Sequence, residues 1–397
     1  MAKRTVRDTE VEGKTVLVRV DFNVPMDIKT GVITDDSRIR AALPTITYLL
    51  DHKAKVILCS HLGRPDGRVV EGLRMTPVAQ RLSQLVDLPV STVSDCIGTA
   101  VEKAADNLKG GEILLLENIR FYPQEEANDP SFAQALAKPA DIYVDDAFGT
   151  AHRAHASTVG VAKYLPAIAG FLMEKELEAL SSILSTPEHP FGALLGGAKV
   201  SDKIGLIQNI LDKVDILLIG GGMAATFLKV QGYEVGLSLV EADKQELAHQ
   251  LIEAAKQNGA SLFLPVDVVV SDSISEQATG EVVPIARIPP NKYIADIGHQ
   301  TVELFSQQIR QCRTVFWNGP MGVYEIPRFA QGTKALVELL ANLKATTIIG
   351  GGSTAEIVEE MKLTHKMTHV STGGGASLKF LQGKSLPGVA VLLDREH

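Results

Sequence analysis

The stretch HVSTGGGASLKFLQG, residues 369–383, places three consecutive glycines between a short apolar segment and a segment with a helical pattern. The same plan occurs in LLGGAKVSDK (194–203), LLIGGGMAATF (217–227) and TIIGGGSTAEI (347–357). Glycine loses more backbone entropy on folding than any other residue, so each glycine turn lowers the stability of the fold. Four such turns therefore indicate a structural or functional need for glycine at these positions. Apolar segments that lead through glycine into a helix indicate strand-to-helix turns of a parallel sheet.

The strand pattern extends along the whole chain and predicts the fold class. The predicted strands are short, mostly apolar on both faces and separated by segments of helical length, which is typical of parallel strands covered by helices on both sides. We therefore predict an α/β fold with two doubly wound parallel-sheet, Rossmann-like domains joined by a hinge. The predicted strands are 15–22, 55–61, 112–118, 141–148, 191–197, 215–221, 261–270, 314–320, 346–352 and 368–374.

A break in this pattern predicts where the domains divide. After the strand predicted at 141–148, Pro166 and Gly170 interrupt the chain before a helical pattern begins. We place the first domain at residues 1–168 and the second at residues 169–383.

The composition restricts the class of function. The 397 residues carry a net charge of −8 with a pI of about 5.7, which argues against nucleic acid or an anionic membrane as a general partner. The cysteines at 59, 96 and 312 have no metal-binding spacing and indicate a reducing compartment. The N-terminus lacks an apolar signal core, and no apolar run reaches the roughly 20 residues of a membrane span. We therefore expect a cytoplasmic protein.

The glycine turns predict a phosphate-binding site in the second domain. Ligands of open α/β sheets bind beyond the carboxyl ends of the strands, where glycine lets the backbone approach and the next helix offers free N–H groups. The P-loop motif is absent, whereas the dinucleotide fingerprint G-x-G-x-x-A occurs from Gly220 to Ala225 and from Gly350 to Ala355. Neither copy is followed by a convincing acidic residue for the ribose. An NAD-dependent dehydrogenase with two dinucleotide folds is therefore an alternative that lacks one expected feature.

The first domain has polar and charged residues, rather than glycines, after its predicted strands. Arginine suits carboxylate and phosphate because its planar fork donates two parallel hydrogen bonds. A single arginine is more often a solvated surface residue, but four near successive strand ends predict a pocket for a small, multiply charged anion. The residues concerned are Asp21, Asn23, Arg38, His61, Arg64, Arg120, His152, Arg153 and His155.

Two anion sites in one chain favour phosphoryl transfer between them. Lys199 and Lys203 follow a glycine turn of the second domain and would supply charge to a phosphate ligand. The alternative is a non-catalytic two-domain anion-binding protein, but this alternative does not explain why two lysines follow the glycine turn.

Motifs along almost the whole chain follow one another as they do in a known family. From about residue 4 to about residue 390 the chain closely resembles the phosphoglycerate kinases. The motifs are VDFNVP, SHLGRP, LLLENIRF, DDAFGTAHRAHAS, FLMEKEL, LLGGAKVSDK, VFWNGPMGVYE, IIGGGSTAE and VSTGGGASLKFLQGKSLPG.

The resemblance implies a reversible reaction in which 1,3-bisphosphoglycerate and ADP give 3-phosphoglycerate and ATP, with Mg²⁺ carried as Mg-ATP or Mg-ADP. It implies that residues 384–397 pack back on the first domain. Because phosphoryl transfer needs the reacting atoms within about 3–3.5 Å and water kept from the acyl phosphate, we expect the domains to close when both substrates are bound. In the ATP-consuming direction the acceptor is a carboxylate with an unperturbed pKa of about 3.5, so it is already ionised and needs no general base. We expect a monomer whose partners are these small molecules, with no nucleic-acid or membrane partner.

The resemblance also implies the site residues. The implied phosphoglycerate-binding residues are Asp21, Asn23, Arg38, His61, Leu62, Gly63, Arg64, Arg120 and Arg153. The implied nucleotide-binding residues are Gly197, Lys203, Asn318, Glu325, Gly351, Gly352, Ser353 and Thr354, with Glu325 on the ribose. The moving phosphoryl group would be stabilised by charges and by N–H donors fixed before the reaction, and the implied residues are Arg38, Lys199, Lys203, Gly352 and Gly374.

Four positions depart from the usual sequence of the family. Ser353 stands where the family usually has an aspartate that helps to hold the metal, so the protein ligands of the metal are left open. Tyr122 stands where histidine is common, Asp145 where asparagine is common, and His299 where proline is usual. No functional role follows from these last three exchanges.

Overall fold

The structure is a computed structural model that describes residues 2–27 and 30–395. None of the described helices is both long and apolar enough to cross a membrane. The strands are β1 (Thr15–Val20), β2 (Lys55–Cys59), β3 (Val90–Thr92), β4 (Ile113–Leu115), β5 (Ile142–Asp146), β6 (Ala167–Ala169), β7 (Phe191–Leu195), β8 (Ile216–Ile219), β9 (Ser261–Phe263), β10 (Asp267–Ser271), β11 (Glu281–Pro284), β12 (Tyr293–Ile297), β13 (Thr314–Asn318), β14 (Thr346–Gly350) and β15 (His369–Val370). The α-helices are α1 (Ser37–Asp51), α2 (Thr76–Val86), α3 (Thr99–Asp106), α4 (Pro123–Glu126), α5 (Pro130–Ala137), α6 (Phe171–Ser185), α7 (Ile204–Ile210), α8 (Ala224–Val230), α9 (Gln245–Gln257), α10 (His299–Ile309), α11 (Gln331–Ala341), α12 (Gly352–Glu360), α13 (Gly375–Leu381) and α14 (Pro387–Ala390).

The chain forms two compact units, and the division falls within α6. The first unit consists of the described residues of Met1–Glu178 and Ser385–His397, and the second unit is Ala179–Lys384. Each unit has its own parallel sheet, which confirms the predicted α/β class.

The C-terminal segment is hydrogen-bonded within the first unit. The backbone N–H of Gly388 donates to the Ala151 carbonyl at 2.9 Å, and that of Leu393 donates to the Ala167 carbonyl at 2.9 Å. The domain limits that we expect from the sequence stay a prediction.

The first unit is built on a six-stranded, fully parallel sheet in the order β3-β4-β2-β1-β5-β6. β1 lies near its centre, with Val18 opposite Leu58 of β2 and Val144 of β5. All residues of β1 after Thr15 are buried, as parallel strands with two covered faces require. The chain continues from β1 to β2 on one side and later places β5 on the other. β1 and β5 therefore flank the point where the strand order reverses, which is where such sheets bind ligands.

Helices cover the parallel sheet with one apolar face. In α1, Ile39, Ala42, Ile46 and Leu49 recur at the spacing of a single helical face and are buried in the core of the first unit. Burial of each leucine or isoleucine contributes about 1.5–3 kcal/mol. This packing fixes the first turn of α1, which carries Arg38, relative to the sheet.

The second unit contains another six-stranded parallel sheet, in the order β15-β14-β13-β7-β8-β9. Its strand order reverses between β7 and β13, which pair directly. Trp317 of β13 is fully buried in the core with Leu194 of β7 and Ile349 of β14. The carboxyl ends of these strands and of β8 and β15 lie along one edge, and a glycine-containing turn follows each of them.

A third sheet departs from the predicted parallel arrangement. Segment 261–270 is predicted as one strand, but it forms β9 of the parallel sheet and β10 of a three-stranded antiparallel sheet in the order β11-β10-β12. Pro265 lies between the two strands, and proline cannot donate the hydrogen bond that a continuous central strand needs. β3, β6, β11 and β12 are missing from the prediction. β3 and β11 are largely exposed and therefore lack a continuous apolar run.

The cysteines Cys59, Cys96 and Cys312 are free thiols, and all three are buried. Burial raises the pKa of Cys59 to about 12 and that of Cys312 to about 11, and it also raises the pKa of Cys96. Cys59 and Cys96 lie in the first unit and Cys312 lies in the second.

Candidate active site

Charged residues gather at one edge of the first sheet because the strands that precede them are neighbours. Asp21 follows β1, His61 follows β2, Arg120 follows β4 and Arg153 follows β5. These four strands are adjacent and parallel, so their carboxyl ends meet at the same edge. We call this group, together with Arg38 of α1, the arginine site.

Asp21 and Arg38 form the centre of the arginine site. The Arg38 Nη1 donates to the Asp21 Oδ2 at 2.5 Å, and the His61 Nδ1 lies 3.9 Å from the Asp21 Oδ1. Burial opposes ionisation of Asp21, but the interactions with His61, Arg38 and Arg19 outweigh it and lower the pKa of Asp21. Asp21 is therefore an ionised carboxylate that orients the guanidinium of Arg38.

The loop after β2 is held by side chains from neighbouring strand ends. Asn23 Oδ1 accepts from the Gly63 N–H at 2.8 Å, and Arg120 Nη1 donates to the Gly63 carbonyl at 3.0 Å. Asn118 is fully buried; its Oδ1 accepts from the Leu62 N–H at 3.2 Å and its Nδ2 donates to the Leu62 carbonyl at 2.7 Å. Gly63 has a φ of +64°, which other residues rarely adopt. The predicted residues Asn23, Leu62, Gly63 and Arg120 thus lie together.

The arginine site carries positive charge that is only partly compensated. Arg120 is buried, and burial lowers the pKa of its guanidinium, with further lowering by Arg19 and Arg153. An exposed carboxylate, Glu126, lies 3.3 Å from the Arg120 Nε. Arg19 and Arg153 act on Arg120 in this way because like charges repel each other, so a bound anion would relieve the repulsion.

Arg153 and Arg64 are less tightly connected to the rest of the site. Arg153 is half-buried, and its Nε donates to the His152 Nε2 at 3.2 Å. Arg64 is exposed and forms no ion pair with a described residue. The structure therefore places Arg64 after β2, as predicted, without joining it to the other arginines.

Sequence reasoning missed a buried polar network behind the arginine site. Arg19 of β1 is 1% exposed, and its Nε donates to the Ser157 Oγ at 2.9 Å. Ser157 Oγ in turn donates at 2.6 Å to Oε1 of the buried Glu125. Burial raises the pKa of Glu125, and Arg19 acts against this effect. The available signal was an arginine inside an apolar parallel strand, because such a residue must find buried partners.

The glycine turns of the second unit divide into two kinds. In the first kind, the turns after β7, β8 and β13 pack against each other backbone to backbone. A Cβ at Gly196 would lie 2.2 Å from the Pro320 oxygen, one at Gly221 would lie 2.7 Å from the Gly197 nitrogen, and one at Gly319 would lie 2.4 Å from the Gly196 oxygen. These glycines are required by the packing of the turns, independently of a ligand.

The second kind of turn borders open space. A Cβ at Gly352 or Gly374 would meet nothing within 4 Å. The turn after β7 packs through Gly196, but its Gly197 also has an open side, because a Cβ there would meet only the Lys203 Cε at 3.9 Å. Gly351 has a φ of +88° and leads into α12. The first N–H groups of α12 have no intrahelical partner, and the helix dipole makes this end attractive to anions.

The side chains of Ser353 and Thr354 at the start of α12 both have partners within the protein. Thr354 is fully buried, and its Oγ1 accepts from the Gly319 N–H at 2.8 Å. Ser353 forms a side-chain hydrogen bond with Tyr324, whose hydroxyl donates to the Glu356 Oε2 at 3.1 Å. Because its side chain is fully buried, Thr354 would meet a ligand through its backbone N–H and not through its hydroxyl.

Lys203 and Asn318 lie together beside the open turns. The Lys203 Nζ donates to the Asn318 Oδ1, and burial lowers the pKa of Lys203 to about 8. Asn318 is 1% exposed, and its Nδ2 has no hydrogen-bond partner among the described residues. A buried donor without an acceptor is costly, so this site fits an acceptor-rich ligand. Lys199 and Glu325 are exposed on the same edge, after β7 and β13.

The described residues provide no cluster of three or more histidine, cysteine, aspartate or glutamate side chains for a metal. At the start of α12 the side chain next to the open turn is the Ser353 hydroxyl, a weaker ligand for Mg²⁺ than a carboxylate. A magnesium ion at this edge would therefore depend mainly on the phosphates that accompany it.

The comparisons with known proteins agree with one another. The family profile described as Phosphoglycerate kinase matches residues 6–384. Curated proteins named phosphoglycerate kinase from Pelotomaculum thermopropionicum and Dictyoglomus turgidum are each 56% identical to the chain, and each match covers 100% of both sequences.

Solved structures agree with this result. The phosphoglycerate kinase of Coxiella burnetii has a TM-score of 0.87 at 43% identity and covers 98% of both chains. That of Pyrococcus horikoshii OT3 has a TM-score of 0.85 at 34% identity, with 99% of this chain and 98% of the other covered. The family expected from the motifs is confirmed. On this evidence the chain belongs to the phosphoglycerate kinase family.

Proposed function

We propose that the arginine site binds the phosphoglycerate and that the open glycine turns, with Lys203 and Asn318, bind the nucleotide. As a member of its family the chain catalyses the reversible phosphoryl transfer between 1,3-bisphosphoglycerate and ADP that gives 3-phosphoglycerate and ATP. The proposal concerns which residues of this chain serve each substrate.

One observation carries the assignment of the phosphoglycerate. Arg120 is a buried cation whose pKa is lowered by burial and by its guanidinium neighbours Arg19 and Arg153. Together with Arg38, these groups favour a small ligand that carries several negative charges. A phosphoglycerate has a phosphate and a carboxylate or acyl phosphate, which are the groups that paired arginine donors recognise.

The unpartnered Nδ2 of Asn318 and the free N–H groups of α12 support the assignment of the nucleotide. These donors require acceptors, and phosphate oxygens supply them. With a pKa of about 8, Lys203 is mostly protonated at neutral pH and would contribute positive charge. Mg²⁺ belongs to the substrate as Mg-ATP or Mg-ADP, with Ser353 as at most a weak protein ligand.

The proposed chemistry needs charge compensation rather than a proton acceptor. The carboxylate of 3-phosphoglycerate, with an unperturbed pKa of about 3.5, is ionised at neutral pH and can attack the γ-phosphoryl group directly. Arg38 and Lys203, assisted by Lys199 and by N–H groups at Gly352 and Gly374, would stabilise the negative charge of the transferred group. Closure of the domains on both substrates, as the sequence predicts, would exclude water from the acyl phosphate.

The remaining expectations stay proposals. A monomer and a cytoplasmic location are proposed, and the buried free thiols of the described chain suit a reducing compartment. The two alternative functions, a dinucleotide-dependent dehydrogenase and a non-catalytic anion-binding protein, are not supported, because the family match extends over residues 6–384.

A crossed kinetic experiment tests the two assignments. We expect Arg153→Ala to raise the KM for 3-phosphoglycerate about tenfold, a loss of about 1.4 kcal/mol, with the KM for Mg-ATP unchanged. Lys203→Met should impair Mg-ATP use and leave 3-phosphoglycerate affinity unchanged. The control is Arg81→Ala, which removes a surface arginine paired with Asp36 at 2.7 Å. If both variants change the two substrates equally, the division of roles is wrong.

A further inference from the structure

We infer that Arg19 is a positioning residue that fixes His61 as a neutral imidazole with its proton on Nε2. The inference rests on the proposed function, because it assumes that His61 donates to the bound phosphoglycerate.

The geometry around His61 Nδ1 determines the tautomer. The Arg19 Nη2 lies 3.1 Å from the His61 Nδ1. A guanidinium has only donors, so a hydrogen bond between these atoms requires a lone pair on Nδ1. The competing partner, the Asp21 Oδ1, is 3.9 Å away and is beyond hydrogen-bond distance. The proton of the neutral ring is therefore on Nε2.

The guanidinium of Arg19 is itself held by several partners and cannot adapt to the opposite tautomer. Its Nε donates to the Ser157 Oγ at 2.9 Å, and Nη1 donates to the Val20 carbonyl. Ser157 is held in turn by Glu125 at 2.6 Å. Because Arg19 is 1% exposed, it acts on a ligand through His61 and not by contact.

Four charged groups face the ring of His61. They are Arg19 of β1, Asp21 after β1, Arg38 of α1 and Arg120 after β4. Burial is the largest influence and lowers the pKa of His61 well below its usual value, while the arginines add to this effect and Asp21 opposes it. In the ligand-free chain, His61 therefore offers an N–H donor as a neutral ring.

The tautomer has a direct consequence for recognition. The described partners of the His61 ring, Arg19 and Asp21, both lie on the side of Nδ1, so Nε2 is the nitrogen available to a ligand. With the proton on Nε2, a phosphate or carboxylate oxygen meets a donor. With the proton on Nδ1, the same oxygen would meet a lone pair and be repelled. Binding through His61 is then independent of pH across the range in which a free histidine titrates, near pH 6.5.

Nitrogen NMR of the full chain with ¹⁵N-labelled histidine tests the tautomer directly. The chain has ten histidines, and His61→Gln identifies the signal of residue 61 by its loss. We expect the long-range ¹H–¹⁵N pattern of a neutral ring protonated on Nε2, unchanged from pH 6 to pH 8. A ring protonated on Nδ1, or a charged ring at pH 6.5, would overturn the inference.

Two variants of the buried network test whether Arg19 sets the tautomer of His61 or only stabilises the fold. Arg19→Met removes the donor to Nδ1, so we expect the His61 proton to move to Nδ1 facing Asp21. The KM for 3-phosphoglycerate should rise about tenfold and become dependent on pH, with the KM for Mg-ATP unchanged. Ser157→Ala removes another partner of the same guanidinium and should keep the Nε2 tautomer. An unchanged tautomer in Arg19→Met overturns the role of Arg19, and if this variant does not fold, the spectrum of the wild-type chain decides.

Titration of the wild-type chain with 3-phosphoglycerate distinguishes this inference from the proposed function. We expect the Nε2 signal of His61 to shift and to saturate with the ligand. If the free chain has the predicted tautomer but its signal does not respond to saturating 3-phosphoglycerate, the assignment of His61 to the substrate fails, and with it the claim that the tautomer serves recognition.

Discussion

The arginine site of the first unit and the glycine turns of the second are both proposed to bind anions, but they would use different parts of the chain. The arginine site relies on side chains, and Arg38, Asp21 and Arg120 hold each other or nearby backbone in place. The glycine turns rely on backbone N–H groups, and the side chains beside them, such as Thr354, brace the turns. A site of side chains can be dissected residue by residue, whereas a site of backbone donors is changed only by altering the shape of the turn.

The largest effect that we expect comes from removing one side chain of the arginine site. Arg38→Ala should lower kcat about 100- to 1000-fold, because the variant loses the charge that we propose to stabilise the transferred phosphoryl group. Nucleotide affinity should change little. Steady-state kinetics and calorimetric titration with Mg-ATP provide the measurements. The matched control is Arg40→Ala, whose exposed guanidinium pairs with Asp36 at 2.8 Å in the same helix. Near-normal turnover in Arg38→Ala would make Arg38 a surface arginine.

The next prediction tests whether the glycine turns are of two kinds. Gly196→Ala should destabilise the second unit by about 3 kcal/mol, because its Cβ would lie 2.2 Å from the Pro320 oxygen. Gly352→Ala has space for its Cβ and should change stability by less than about 1 kcal/mol while raising the Kd of Mg-ATP about tenfold. Thermal unfolding and calorimetry measure both quantities. Equal destabilisation by the two substitutions would contradict the division.

Buried carboxylates at the end of β5 give the first unit a pH dependence. Burial raises the pKa of Asp145 to about 7, so the protonated form is favoured on folding. Such a group contributes stability at low pH, and the contribution is lost as the pH rises through the folded-state pKa of about 7. Between pH 5 and pH 8 the loss is about 2–3 kcal/mol.

Asp145→Asn should remove the contribution of Asp145, so the loss of stability between pH 5 and pH 8 should be about 2–3 kcal/mol smaller than in the wild type. The neighbouring Asp146, whose pKa burial raises to about 6, keeps its own contribution. Urea unfolding midpoints at the two pH values measure the effect. Asp51→Asn, which removes an exposed carboxylate at the end of α1, is the control and should leave the pH dependence unchanged. An Asp145→Asn profile parallel to that of the wild type would show that Asp145 is ionised throughout.

The smallest expected effect concerns the one side chain at the open turn that departs from its family. Ser353→Asp should lower the magnesium concentration for half-maximal activity by two- to tenfold, because a carboxylate is a better Mg²⁺ ligand than a hydroxyl. The change corresponds to about 1 kcal/mol. Ser353→Asn, which has a similar shape without the charge, is the control. An unchanged or higher requirement in Ser353→Asp would place residue 353 away from the metal.

The sequence predicted the arginine site better than the glycine turns, for a physical reason. Strand-end positions of Asp21, His61 and Arg120 follow from the apolar strands before them, since parallel strands end at one edge. The buried partner Arg19 was not predicted, because its contacts with Ser157 and His61 join segments far apart in the chain. Contacts of this kind depend on tertiary packing and leave only a weak local pattern.

The glycine motifs were located correctly, but their two roles could not be told apart from the sequence. Gly196 and Gly352 both follow an apolar strand, and only the neighbouring turns reveal that one lies against Pro320 and the other against open space. The antiparallel sheet was missed for a related reason. Its strand β11 is mostly exposed, so its pairing with β10 depends on partners that periodicity does not identify.

The three buried thiols allow the transient local opening of each unit to be measured. A thiol reagent attacks only the exposed thiolate, and Cys59, Cys96 and Cys312 are 0%, 1% and 3% exposed. The modification rate at each cysteine therefore counts how often its surroundings open. Since Cys312 lies in the second unit and the other two lie in the first, mass spectrometry after timed labelling would give the opening frequency of each unit separately. Labelling the chain while it is saturated with one substrate at a time would then reveal in which unit that substrate lowers the opening frequency. The native cysteines serve as the probes, so none needs to be introduced.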